Sequence, residues 1–143
     1  MAEKANQKLQ ALLGLWQSQM RGTSIPKREV LPVSALKPWL GSLALFQLDP
    51  SAGPIFRLCG TGLHARFGGE MTGKLVSQLP AEAAEALQKE LDAVISSRRP
   101  RRSRHISGDG HQSCTYHELY LPLADKDEKV ELVLFASFRE QGR

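Results

Sequence analysis

Residues 55–74 read Ile55-Phe56-Arg57-Leu58-Cys59-Gly60-Thr61-Gly62-Leu63-His64-Ala65-Arg66-Phe67-Gly68-Gly69-Glu70-Met71-Thr72-Gly73-Lys74. Ile55 to Cys59 is a strand-like run, apolar except for Arg57, and it breaks at Gly60-Thr61-Gly62. Leu63 and Phe67 are four residues apart, so a short helix there buries both on one face. Gly68-Gly69 stops that helix, because glycine takes the positive φ that a helix end needs. Thr72-Gly73 is a second stop before Leu75, Val76 and Leu79. Strand, glycine turn, stub helix and glycine exit together describe a crossover that wraps over one face of a sheet.

Towards the N-terminus, Leu43 to Leu48 is an apolar run of strand length. The turn cluster Asp49-Pro50-Ser51-Ala52-Gly53-Pro54 joins it to Ile55–Cys59 as a hairpin. Pro26, Pro32 and Pro38 punctuate residues 23–38 as an extended arm. Val33 to Leu40 forms a short helix, capped by Ser34, with Leu36, Trp39 and Leu40 facing in. Residues 3–21 form an amphipathic helix with its stripe at Leu9, Leu12, Leu13, Trp16 and Met20, ended by Gly22. That helix either packs on its own core or pairs with a second copy. Residues 1–22 are thus set apart as a possible dimerisation helix, and residues 23–143 as a single domain.

Towards the C-terminus, Pro80 to Ser97 is a second helix with the stripe Ala84, Leu87, Leu91, Val94 and Ile95, expected to lie across the sheet. Three strands follow. Arg101 to Ser107 is polar, as an edge strand is, and ends at Gly108-Asp109-Gly110. Cys114 to Leu123 places His117, Leu119, Leu121 and Leu123 on one face and Tyr116, Glu118 and Tyr120 on the other. Val130 to Phe138 is the most strand-like run and the expected centre of the sheet, reached through the charged loop Asp125–Lys129. Five strands around a helical insert make an α+β layout, an antiparallel sheet with helices on one face.

The chain of 143 residues is of single-domain size, with ordinary apolar and charged fractions of 41% and 24%. No apolar run reaches the length of a membrane span. The N-terminus has no apolar signal core. Cys59 and Cys114 form neither a disulfide framework nor a zinc motif. A reducing bacterial cytoplasm is the expected setting. The net charge of +4 concentrates in Arg98, Arg99, Arg101, Arg102 and Arg104.

Phe56-Arg57, Gly60-Thr61, Phe67-Gly68 and Thr72-Gly73 resemble, in order and spacing, the middle of the PAS sensor fold in its stand-alone proteobacterial form. Trp16, Arg21-Gly22, Pro26, Arg28 and Pro32 are similar to that family's N-terminal signature. Leu36, Trp39 and Leu40 are similar to its short helix before the sheet, and Leu121-Pro122-Leu123 to the end of its fourth strand. The resemblance spans Trp16 to Phe138. It implies a non-enzymatic signalling module with a small-ligand pocket between the sheet and the Pro80–Ser97 helix. The wall residues expected for that pocket are Phe56, Leu58, Phe67 and Leu87, with Leu91, His117, Leu119 and Phe135 completing it. The resemblance also implies a homodimer through the N-terminal helix and an effector protein as output, since no effector domain is encoded.

Other constellations carry less. Gly68 to Lys74 is one residue short of a phosphate-binding loop, and Leu75 stands where Ser or Thr would hold magnesium. The five arginines could fork onto phosphates of a cyclic dinucleotide or nucleic acid. No recognition helix or interleaved aromatics accompany them, and an edge strand guarded by positive charge is the plainer reading. Among His64, His105, His111 and His117, none lies on the long helix where some PAS domains ligate haem, and no pair has zinc spacing. His117 reads as a core histidine with one hydrogen bond. Cys59 reads as a buried thiol without a base, and the flavin-linking cysteine motif of light-sensing relatives is missing. No catalytic residue is assigned and no cofactor identified. The alternatives to a ligand sensor are an adaptor with a filled interior and a binder of cyclic dinucleotide or nucleic acid through the arginines.

Overall fold

A computed structural model describes residues 3–30, 33–108 and 113–140, without the side chains of Val30 and Val33. Pro32, Asp109-Gly110 and His111 lie outside the described residues.

The strands are β1 (Leu43–Asp49), β2 (Gly53–Cys59), β3 (Arg101–Ser107), β4 (Cys114–Ala124) and β5 (Val130–Arg139). They form one antiparallel sheet in the order β2-β1-β5-β4-β3. The apolar β5 is central, as its composition requires. The turn into β2 is held by Asp49, whose Oδ1 accepts from the amides of Ser51 and Ala52.

Helix α1 (Glu3–Ser18) ends a turn earlier than the periodicity suggests. The short pre-sheet helix is α2 (Val33–Leu36), which tightens into a 3-10 turn over Lys37–Ser42. The crossover contains a 3-10 turn at Thr61–Leu63, then α3 (His64–Phe67). Gly68 closes α3 at φ 83°, and both Gly68 and Gly69 donate their amides to the His64 carbonyl. Helix α4 (Ala81–Ser97) starts just after Pro80 and ends at Arg98, itself left-handed at φ 59°.

The hydrophobic interior is double. On one face of the sheet, α3, α4 and the crossover cover Ala44, Phe46, Phe56, Tyr120, Val133 and Phe135. On the other, α1 lays Leu9, Leu12 and Trp16 on Leu119, Leu121, Leu123, Leu132, Leu134 and Ala136. The helices after β2 thus share one face, as expected, and the N-terminal helix takes the alternative of packing on its own core, from the other side. β4 and β5 are apolar on both sides, so the outer face also needs a cover, and α1 supplies it. Trp16 fixes the docking by donating its indole N–H to the Pro122 carbonyl at 2.8 Å.

Two strand faces also differ from expectation. A bulge between Leu45 and Phe46 in the β1–β2 register leaves Arg57 without an opposite number. Phe56 pairs with Phe46 on the inner face, but Leu58 pairs with Leu45 and turns outward, 42% exposed. On β4, Leu119, Leu121 and Leu123 face α1, while Tyr120 joins the inner cluster.

Candidate ligand-binding cleft

The inner face beneath α4 is packed with rings. Phe46 and Phe56 have centroids 4.8 Å apart, Phe56 and Phe67 5.0 Å, Phe67 and Phe135 5.7 Å, and Tyr120 and Phe135 5.0 Å. Each such pair contributes about 0.5–1.5 kcal/mol beyond burial. Phe56, Phe67, Leu87, Leu91 and Phe135, expected as pocket walls, meet here in a packed cluster; of the five, Leu87 and Phe67 also border the openings beside it. Leu58, His117 and Leu119 do not join the cluster. Leu58 is turned out by the bulge, and Leu119 lies under α1. His117 sits on that same outer face, where its Nε2 is 2.8 Å from Glu140 Oε1.

Space opens beside the rings, between α3, α4 and strands β3 and β4. A cavity of about 160 Å³ is lined there by Arg66, Ala83, Ala86, Leu87, Glu90, Ser103, Arg104, His105, Glu118 and Tyr120. Arg66, Ala83, Ala86 and His105 also line a wider mouth of about 630 Å³, bounded by Phe67, Leu79, Pro80 and Ile106.

At the inner end lies a buried ion pair. Arg66 Nε donates to Glu118 Oε2 at 2.6 Å and Nη2 to Oε1 at 3.0 Å, with the side chains 8% and 1% exposed. The Ser137 hydroxyl donates to Glu118 Oε2 at 2.6 Å. The antiparallel register puts Ser103, Glu118 and Ser137 in one row across β3, β4 and β5. Arg66 reaches this row from α3, and its guanidinium lies 4.8 Å from the Phe67 ring centre and 5.9 Å from that of Tyr116.

The glycine motif places α3. A Cβ on Gly60 would fall 2.5 Å from the carbonyl oxygens of Leu40 and Gly41, and one on Gly62 2.6 Å from the Gly41 oxygen. Only glycine lets the crossover start so close to the preceding turn.

Burial shapes the titration of the walls. It pushes the Tyr120 phenol above the ordinary range, helped by the Glu118 charge. It lowers His105, and the Arg66 cation lowers it further, so the imidazole is held neutral near pH 7. Cys59, at the other end of the crossover, is likewise pushed up, mainly by burial.

The five arginines do not share one surface. Arg98 binds the Glu128 carbonyl, Arg101 pairs with Glu90 of α4, and Arg102 donates to Asn6 Oδ1 of α1 at 2.9 Å. Arg101 follows the inner face of β3, and Arg102 and Arg104 the outer. Gly73 donates its amide to the Phe56 carbonyl at 2.6 Å and takes φ 88°, which is the turn role rather than a phosphate cradle.

The sequence reading missed Arg66, Glu118, Ser103, His105 and Tyr120 as a group. The available signal was Glu118 itself, a carboxylate inside the apolar run Tyr116–Ala124.

No curated protein sequence matches the chain. Among solved structures, the PAS domain of Bordetella pertussis BvgS superposes with a TM-score of 0.59 at 17% identity, covering 80% of this chain and 87% of that one. The receptor VqmA bound to DPO gives a TM-score of 0.59 at 15% identity over 78% of this chain, which spans 57% of that receptor's length. A sensory box sensor histidine kinase of Vibrio cholerae gives 0.52 at 18% identity, covering 80% of this chain and 91% of that one. At these identities the likeness is one of fold. The sequence model of the PAS domain matches residues 4–136, nearly the whole chain, and the protein belongs to the PAS domain family.

Proposed function

We propose that the protein is a sensory PAS module that admits a small molecule to the cleft between α4 and β3–β4 and passes the signal to an effector protein by contact. The observation that carries this is the Arg66–Glu118 pair at the end of a cavity. A buried ion pair is often no more stable than well-packed apolar residues of the same size. Its retention beside open space fits recognition, as convergent polar groups in a mostly closed pocket do elsewhere. Glu118 and Tyr120 alternate along β4 with Leu119 and Leu121, on which α1 rests. A shift of β4 on binding therefore reaches α1 directly. We assign no catalytic residue. VqmA, which shares the fold, is described as bound to DPO, and this supports a ligand as the input here. The test is native mass spectrometry of freshly purified protein. A retained small molecule, lost in Arg66→Met, is expected; a bare chain from every preparation would favour the filled adaptor.

A homodimer is the second part of the reading. Because α1 spends its apolar stripe on its own sheet, we place self-association on the uncovered end of the outer face. There Leu58 stands beside Leu36, Leu40 and Leu45, with Arg28 and Arg57 at the rim. The protein described as the Vibrio cholerae VqmA dimer has the same fold. A mass near twice that of the chain by light scattering, halved by Leu58→Lys, tests it. The arginine reading has less support, because three of the five side chains already have partners within the chain.

A further inference from the structure

We propose that the cleft selects compact, uncharged, hydrogen-bonding molecules and disfavours both anions and cations. This rests on the reading of the cleft as the input site.

Of the charges lining the inner cavity, two pairs are closed and Arg104 points away, while Glu82 stands outside it at the wider mouth. Arg66 is held bidentately by Glu118, and Glu90 is taken by Arg101. Arg104 pairs in register with His117, whose side chain lies on the outer face, so alternation carries its charge away from the cavity. His105 is neutral near pH 7, because burial and Arg66 both disfavour its proton. A charged guest in the inner cavity would meet no waiting counter-charge there. It would have to lose its hydration and break a bidentate pair, leaving an uncompensated buried ion.

Neutral polar groups are better served. Ser103 and Tyr120 offer hydroxyls, and Arg66 Nη1 has no hydrogen-bond partner among the described residues. Ala83, Ala86 and Leu87 supply the apolar side of the same wall. The volume of about 160 Å³ is close to that of a cavity known to hold benzene, roughly 150 Å³. The fitting guest is thus a single ring or short chain bearing an amide, ketone or hydroxyl.

The test uses three isosteres, benzamide, benzoate and benzamidine, titrated into the full chain and followed by amide chemical shifts. Benzamide is expected to perturb Arg66, Ser103 and Tyr120 and to bind at least tenfold more tightly than either ion. Glu118→Gln leaves Arg66 unpaired and is expected to reverse the order in favour of benzoate. Ser103→Ala, which removes a half-exposed hydroxyl without disturbing the ion pair, is expected to weaken benzamide severalfold and keeps the proposal testable should Glu118→Gln not fold. Cleft shifts with benzoate or benzamidine equal to benzamide in the wild type would overturn the selectivity while leaving the input site standing. Shifts outside the cleft, or none with any of the three, would overturn both.

Discussion

Arg66 and Glu118 are 52 residues apart in sequence and are joined by two hydrogen bonds inside the protein. Removing one partner strands the other charge. Arg66→Met or Glu118→Leu is expected to cost about 3–5 kcal/mol, and the double variant less than either. Urea unfolding of the three variants checks this. A double variant losing the sum of the singles would show that the two residues act independently.

Gly60 is the second point of stress. Its missing Cβ makes room for the Leu40 and Gly41 carbonyls, and backbone there cannot yield as a side-chain tip would. Gly60→Ala is expected to destabilise by about 1–3 kcal/mol, with Gly14→Ala, at an open helical site, unchanged or slightly stabilised. Thermal melts of the pair read the difference.

His105 provides a pH readout of the cleft. Its folded pKa lies below the unfolded value, through burial first and Arg66 second. The unfolded chain therefore binds the proton first as pH falls. The stability His105 contributes is complete above about pH 6.5 and is lost as pH drops from there through the folded pKa. In Arg66→Met the imidazole is expected to titrate at higher pH than in the wild type, yet still below an ordinary histidine, because burial remains. Ring-proton shifts against pH check both statements.

Glu140 behaves in the opposite chemical sense. The hydrogen bond with His117 is the largest cause holding its carboxyl below the usual range. Stability from this pair is present above the unfolded carboxylate pKa, about 4.3, and is lost as pH falls through the lower folded value. His117→Phe is expected to raise the Glu140 carboxyl towards the ordinary range, read by carbon shifts.

Much of the fold was legible because local chemistry fixed it. The glycine stops around α3, the stripe Leu87–Leu91–Val94 and the apolar β5 each have one reading. The faces of β4 had no such signal. Both sides of that strand are covered, so polarity does not alternate and gives no sign that Leu119 lies on the outer side, under α1. Leu58 was lost to a bulge, which shifts every later residue of a strand to the other face. The ion pair depends on α3 meeting β4, a tertiary contact to which no sequence spacing corresponds. Only the odd carboxylate among Tyr116, His117, Leu119 and Tyr120 hinted at it.

The most direct measurement is a crystal structure of the protein taken from cells without a denaturing step. Ordered density for a small molecule is expected in the cleft, with a polar atom within about 3.2 Å of Arg66, Ser103 or Tyr120. A cleft holding only water, with a guest bound instead on the outer face or nowhere, would contradict the reading of this site as the sensor's input.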